Sequence, residues 1–138
     1  MKTTKIVHLS SAGLILLSAL SLLSVSFMAF ADPQSVMDLV HVQLTNNDAF
    51  SSIRGVYGGV GLALGISLLY LMIKDTGKGL AFLCLLWGFY AVSRIITIFV
   101  EGSLGAFGTQ WLITESVLFG LAAGLLLARR RRAALAVS

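Results

Sequence analysis

Charge is scarce in this chain of 138 residues: Asp, Glu, Lys and Arg make up 12% of it, against 57% hydrophobic residues. A body this small has too few polar side chains to coat that much apolar surface, so the composition excludes a soluble domain and makes lipid the solvent. Cysteine is confined to Cys84, which excludes an internal disulfide and a Cys/His zinc cluster. Histidine is confined to His8 and His41, both outside the apolar runs, so a haem or di-metal helix bundle lacks its ligands. No metal and no cofactor is expected. The sequence also has no HExxH, no Gly-rich phosphate loop and no histidine near Ser116, and the expectation is a non-enzyme without catalytic residues. The net charge of +4 does not point to nucleic acid, because the basic residues punctuate apolar runs instead of gathering into a groove-reading motif.

What the chain has in plenty is uninterrupted apolar sequence. Residues 12–31 and 55–73 carry no charge, 79–100 only Arg94, and 109–128 only Glu115. Each run makes a helix about 30 Å long, the thickness of the hydrocarbon layer. Strands are a poor alternative, since the runs do not alternate and are rich in Leu, Ala and Gly. The prediction is an all-α, four-helix transmembrane bundle forming one integral domain over 1–138. Its spans fall at about 12–31, 53–73, 79–100 and 109–128, with an outer loop at 32–52. Lys2 and Lys5 precede the first span, Lys74 and Lys78 lie in the second connection, and Arg129, Arg130, Arg131 and Arg132 follow the fourth. Asp32, Asp38, Asp48 and Glu101 occupy the other two connections, which hold no Lys or Arg. Positive charge stays on the cytoplasmic side, so both termini are expected there.

Residues 1–31 also fit a secretory signal, with a basic start, an apolar stretch and Ala29-Phe30-Ala31 ahead of Asp32. The stretch is longer than such a signal needs, and the later spans need a partner for their small-residue faces. A retained first span is therefore preferred, with cleavage before Asp32 as the alternative. In the outer loop, Asp32 can cap and Pro33 suits a first helical position. With Val36, Leu39, Val40 and Val42 they favour a short segment on the outer membrane face. A helix there is weighed evenly against a coil held by the turn residues Asn46, Asn47 and Asp48. The arginine run reads as an orientation signal, with contact to anionic headgroups as a by-product.

Two pairs of glycines in the second span are four apart, Gly55 with Gly59 and Gly61 with Gly65, and Ser116, Gly120 and Gly124 repeat the spacing in the fourth. Small residues at this interval let helix backbones approach in lipid. Packing inside the bundle is the preferred use, and a homodimer through the glycine faces is the alternative. Trp111 fits an interfacial anchor.

The ionisable residues within the runs carry the functional reading. Arg94 is six residues short of Val100 and Glu115 six beyond Thr109, so both lie roughly 9 Å below the outer boundary. The spans are joined by a short loop and run antiparallel, which places the two charges within reach of each other, and mutual neutralisation is the simplest arrangement for them in lipid. Arg54 at the outer end of the second span needs an anionic answer, for which Asp48 and Glu101 are candidates. Trp87, Tyr90, Arg94, Thr97 and Glu101 share one helical face of the third span. In the fourth, Glu115 shares its face with Trp111, Phe119 and Ala122, while the Ser116, Gly120, Gly124 stripe lies one residue around. A proton-carrying role for Glu115 is disfavoured, since the residue is shallow and no inverted halves are visible.

Asn47, Asp48, the run Arg54-Gly55-Val56-Tyr57-Gly58-Gly59, then Gly88, Arg94, Glu101-Gly102 and Glu115 resemble a family of small four-helix bacterial membrane proteins of unknown function. The likeness covers residues 40–125. It implies a bundle in a bacterial inner membrane, with Arg54, Arg94, Glu101 and Glu115 at the polar positions, and it implies no activity. The candidate binding residues are Arg54, Tyr57, Arg94, Glu101 and Glu115. A structural or interaction role is expected, the alternative being a binder or carrier of a small anionic or amphiphilic molecule through an outer-leaflet polar pocket. The expected partners are the lipid bilayer and, in the alternatives, an anionic lipid, a small amphiphile or a second copy of the chain.

Overall fold

The computed structural model describes residues 2–135, with side chains from Lys5 onward. The side chain of Lys2, whose charge is expected on the inner face, is not among those described, and residues 1 and 136–138 of the expected 1–138 domain lie outside the described residues. All regular elements among the described residues are helical: α1 (Lys2–Ala31), α2 (Pro33–Asp38), α3 (Asn47–Ile53), a π-helical segment (Arg54–Val60), α4 (Gly61–Lys74), α5 (Thr76–Val100) and α6 (Ala106–Leu135). Because α3, the π segment and α4 run on without a break, four helices among the described residues are long and apolar enough to cross a membrane: Lys5–Ala31, Asn47–Lys74, Thr76–Val100 and Ala106–Leu135.

Each helix outlasts the apolar run that announced it. The second begins at Asn47 rather than about 53, because the Asn46 side chain accepts the Ala49 N–H at 2.8 Å and caps it there. The outer loop accordingly ends at Asn46. An argument from hydrocarbon thickness sees only apolar length, whereas capped helices continue into polar sequence.

Two compact units make up the chain, one comprising Leu16–Tyr70 and the other the rest of the described residues. In the first, Ala19, Ser26 and Ala29 form the buried face of α1, and Gly61, Gly65 and Leu68 that of α4. These faces meet through their smallest residues. A Cβ on Gly61 would run into Ser26 Oγ, and one on Gly65 would stand 2.8 Å from the Leu23 side chain and 3.4 Å from the Ala19 carbonyl. Ser26 is tolerated in the dry seam because its hydroxyl donates to the Leu22 carbonyl at 2.7 Å.

The outer loop of this unit holds a helix. Asp32 accepts the Gln34 N–H at 3.1 Å and Pro33 opens α2, as the capping residues favour. Only part of the expected apolar face is used: Val36 and Met37 pack on Ala29, with Leu44 and Ile53 against them, whereas Leu39, Val40 and Val42 are exposed. Gln34 closes the loop. Its Nε2 donates to Asp38 Oδ1 at 2.6 Å and to the Val42 carbonyl at 2.9 Å, and its Oε1 accepts the Leu44 N–H at 2.9 Å.

The other unit is dominated by the antiparallel pair α5 and α6. Leu80, Leu83, Trp87 and Ala91 are the buried stripe of α5, spaced three or four apart, and Glu115 and Ala122 are the buried residues of α6. Gly88 lies under the Phe119 ring, which a Cβ would meet at 3.2 Å, and Gly79 admits Ile15 in the same way at 2.7 Å. Asp75 caps α5 by accepting the Lys78 N–H at 3.1 Å. That hydrogen bond, with the nearby Lys78 ammonium, holds the Asp75 carboxyl below its ordinary range. At the far end, the N–H groups of Glu101 and Gly102 both donate to the Thr97 carbonyl, at 2.8 and 3.3 Å, and Gly102 turns the chain with φ +105°.

The glycine spacing proves a partial guide. Gly61 and Gly65 pack inside the fold as preferred, but Gly55, Gly59, Gly120 and Gly124 have nothing within 4 Å of an added Cβ. Internal packing is therefore the wrong reading of the fourth-span stripe: α6 turns its Glu115 and Ala122 face inward and leaves the stripe open.

Candidate functional site

Arg94 and Glu115 meet. Arg94 Nε donates to Glu115 Oε2 at 2.7 Å and Nη2 donates to Oε1 at 2.8 Å, so both carboxylate oxygens are held by one planar fork. Glu115 is 1% exposed, while the Arg94 side chain keeps 22% of its surface accessible. The backbone explains the register. With α5 turned at Gly102 and α6 running back antiparallel, Gly88 falls opposite Phe119 and Arg94 opposite Glu115. Trp87, two turns from Arg94 on the same face, is buried and stacks obliquely on Tyr90 with ring centroids 5.9 Å apart. The pair thus sits on a strip that is aromatic on one side and open to the α5 C-terminus on the other.

Glu101 does not join it. It is exposed at the C-terminal cap of α5, and among the described residues the ion pairs are Arg94 with Glu115 and Lys78 with Asp75. Trp111 stacks on Phe107 at 6.2 Å in the first turns of α6, as befits an interfacial aromatic.

Arg54 and Tyr57 belong to the Leu16–Tyr70 unit. Arg54 is well inside the helix that starts at Asn47 and does not face the positive end of its dipole, contrary to the expectation from the apolar run. Its answer is not Asp48 either. Arg54 Nε donates to the Phe30 carbonyl at 3.3 Å, next to last in α1, where unsatisfied carbonyls gather partial negative charge. Gly58 lies under the Phe30 ring, which a Cβ would meet at 3.1 Å, so the π segment is the stretch that docks on the end of α1. π turns are uncommon and recur at functional sites. Three glycines in seven residues lower the preference for α geometry and let this docking decide the backbone. Tyr57 projects from the same segment and is 38% exposed.

A carbonyl partner for Arg54 carries no sequence signal. Gln34 could have been noticed only as a polar residue inside a capped helix. The Arg94 and Glu115 pairing was within reach, because charge in lipid leaves few alternatives.

A family described as a domain of unknown function (DUF4345) matches residues 11–126. The chain belongs to this family. The DUF4345 match begins inside α1, well before the residue 40 at which the resemblance above starts, and it takes in Arg54, Tyr57, Arg94, Glu101 and Glu115. No curated protein and no solved structure matches the chain.

Proposed function

We propose that the chain is a non-enzymatic multi-pass protein of a bacterial inner membrane, a four-helix bundle with both termini cytoplasmic and a structural or interaction role. The observation behind this reading is the closed fork between Arg94 and Glu115. Both carboxylate oxygens are taken by the arginine, so Glu115 is not a free base and Arg94 has spent its planar edge on a neighbour. Such a pair fixes how two helices meet in lipid. The orientation rests on Lys74, Lys78 and the arginine run lying at the opposite helix ends from Asp38, Asp48 and Glu101.

Exchanging the charges, Arg94→Glu with Glu115→Arg, tests the role. A purely structural pair survives the exchange with a near-normal yield of folded protein. The alternative, a binder of a small anionic molecule, is favoured by the exposed Arg54, whose Nε reaches only a carbonyl. If a molecule found by mass spectrometry in mild detergent is lost in Arg54→Ala or in the exchanged chain while folding is kept, the structural reading fails. Orientation is read by cysteine labelling in a Cys84→Ser background. Ser103→Cys should react in intact cells and Lys74→Cys only after permeabilisation, and the reverse pattern would invert the topology.

A further inference from the structure

The arginines that follow the fourth apolar run are built into the fold. Within the unit containing α5 and α6, Arg129, Arg130 and Arg132 line a cavity of about 790 Å³ together with Lys78 from the start of α5 and His8 from α1. Four permanent cations therefore face one carboxylate, Asp75. That carboxylate is already engaged, since it accepts the Lys78 N–H at 3.1 Å and pairs with Lys78 Nζ at 3.4 Å. The three arginines make no ion pair among the described residues.

Their placement sharpens the imbalance. Gly77 is in the first turn of α5, and a Cβ there would stand 3.8 Å from Arg129 Nε. A guanidinium is thus held beside the positive end of a helix dipole, where an anion between the two relieves both. The remaining wall of the cavity is apolar, formed by Val7, Ala81, Leu126 and Ala133. Arg129 directly follows the apolar run, so the cavity joins cations to hydrocarbon-facing surface at the depth where headgroups meet acyl chains.

We propose that this cavity is a binding site for an anionic phospholipid, its phosphate held by Arg129, Arg130, Arg132 and Lys78 and its upper acyl chain lying along Val7, Ala81 and Leu126. The apolar wall selects a lipid over a soluble phosphate, and the number of unpaired arginines selects an anionic headgroup over a zwitterionic one. The proposal does not depend on the role of Arg94 and Glu115.

The full chain, purified in a neutral detergent, is titrated with phosphatidylglycerol or phosphatidylcholine in mixed micelles, and bound lipid is counted by native mass spectrometry. Phosphatidylglycerol should be retained in preference to phosphatidylcholine. Arg129→Gln should weaken it about five-fold, and Arg129→Gln with Lys78→Gln about twenty-five-fold, the worth of one and two cations beside an anionic surface. Arg131 is in the same run but not in the lining of this cavity, so Arg131→Gln should change retention by less than about two-fold. Should the Lys78 variant fold poorly, Arg132→Gln takes its place with the same expected loss. An Arg131→Gln effect as large as that of Arg129→Gln would reduce the site to diffuse surface attraction and overturn the proposal. Equal retention of phosphatidylcholine, or displacement of the lipid by inorganic phosphate at matched concentration, would overturn it too, the latter by pointing to a soluble anion.

Discussion

Arg94→Ala is expected to destabilise the protein by about 3–5 kcal/mol, Glu115→Ala by less, and the double variant by less than Arg94→Ala alone. The order follows from what each change strands. Without Arg94, a carboxylate that is 1% exposed loses both of its hydrogen bonds and has no path to water. Without Glu115, the guanidinium stays charged, but its side chain is already 22% accessible and its long stem can reach toward the outer boundary, six residues along α5. About 2.5 kcal/mol is a fair scale for that cation in lipid. Removing both leaves a cavity and two lost packing contacts but no stranded charge. Thermal unfolding in detergent, followed by the fluorescence of the buried Trp87, measures all three. Losses that simply add, with the double variant the worst, would mean that the two side chains do not depend on each other.

Gly61→Ala should lower stability by about 1–3 kcal/mol, the ordinary cost of forcing an extra carbon into a packed seam. The obstacle is Ser26 Oγ, which cannot swing aside without leaving its bond to the Leu22 carbonyl and exposing an unsatisfied hydroxyl in a dry interface. Ser26→Gly should therefore restore much of what Gly61→Ala removes, and the pair of changes separates crowding from any general intolerance of the second span. Gly120→Ala and Gly124→Ala should behave in the opposite way. Both positions are open, and replacing an exposed mid-helix glycine stabilises by up to about 1 kcal/mol. Melting temperatures of Gly61→Ala alone and with Ser26→Gly, and of Gly120→Ala and Gly124→Ala, decide the matter. A loss at Gly120 comparable to that at Gly61 would mean that something outside this chain, a second copy included, already occupies the α6 stripe.

These two regions also show where sequence reasoning carries and where it stops. Lipid forbids an isolated charge and demands a helix of fixed length, so the four spans and the meeting of Arg94 with Glu115 follow almost from counting residues. A row of glycines is weaker information. The same spacing marks the Gly61 and Gly65 seam and the open Gly120 and Gly124 stripe, because nothing in a helix's own sequence tells which side its neighbour occupies. The second helix starts ahead of its apolar run because a polar cap, Asn46, sets its first turn. Gln34 holds the outer loop through bonds eight and ten residues away, and no local pattern announces such a side chain. The basic cavity is less legible still: it draws on three helices far apart in sequence, and each of its cations is adequately explained on its own as a topology signal.

The π segment has a mechanical corollary. Its turns close on the fifth residue instead of the fourth, so Arg54–Val60 stores slack that ordinary helix does not have. Tightening it to α geometry would swivel everything on its N-terminal side by roughly 100° for each residue taken up, while α4 stayed seated on α1. Such a swivel would unhook Arg54 from the Phe30 carbonyl and draw Gly58 from beneath the ring. The outer end of this helix is thus moored by a cation resting on the tail of its neighbour, by the Phe30 ring over Gly58 and by Ile53 in the apolar cluster around Ala29, and any such swivel must release all three.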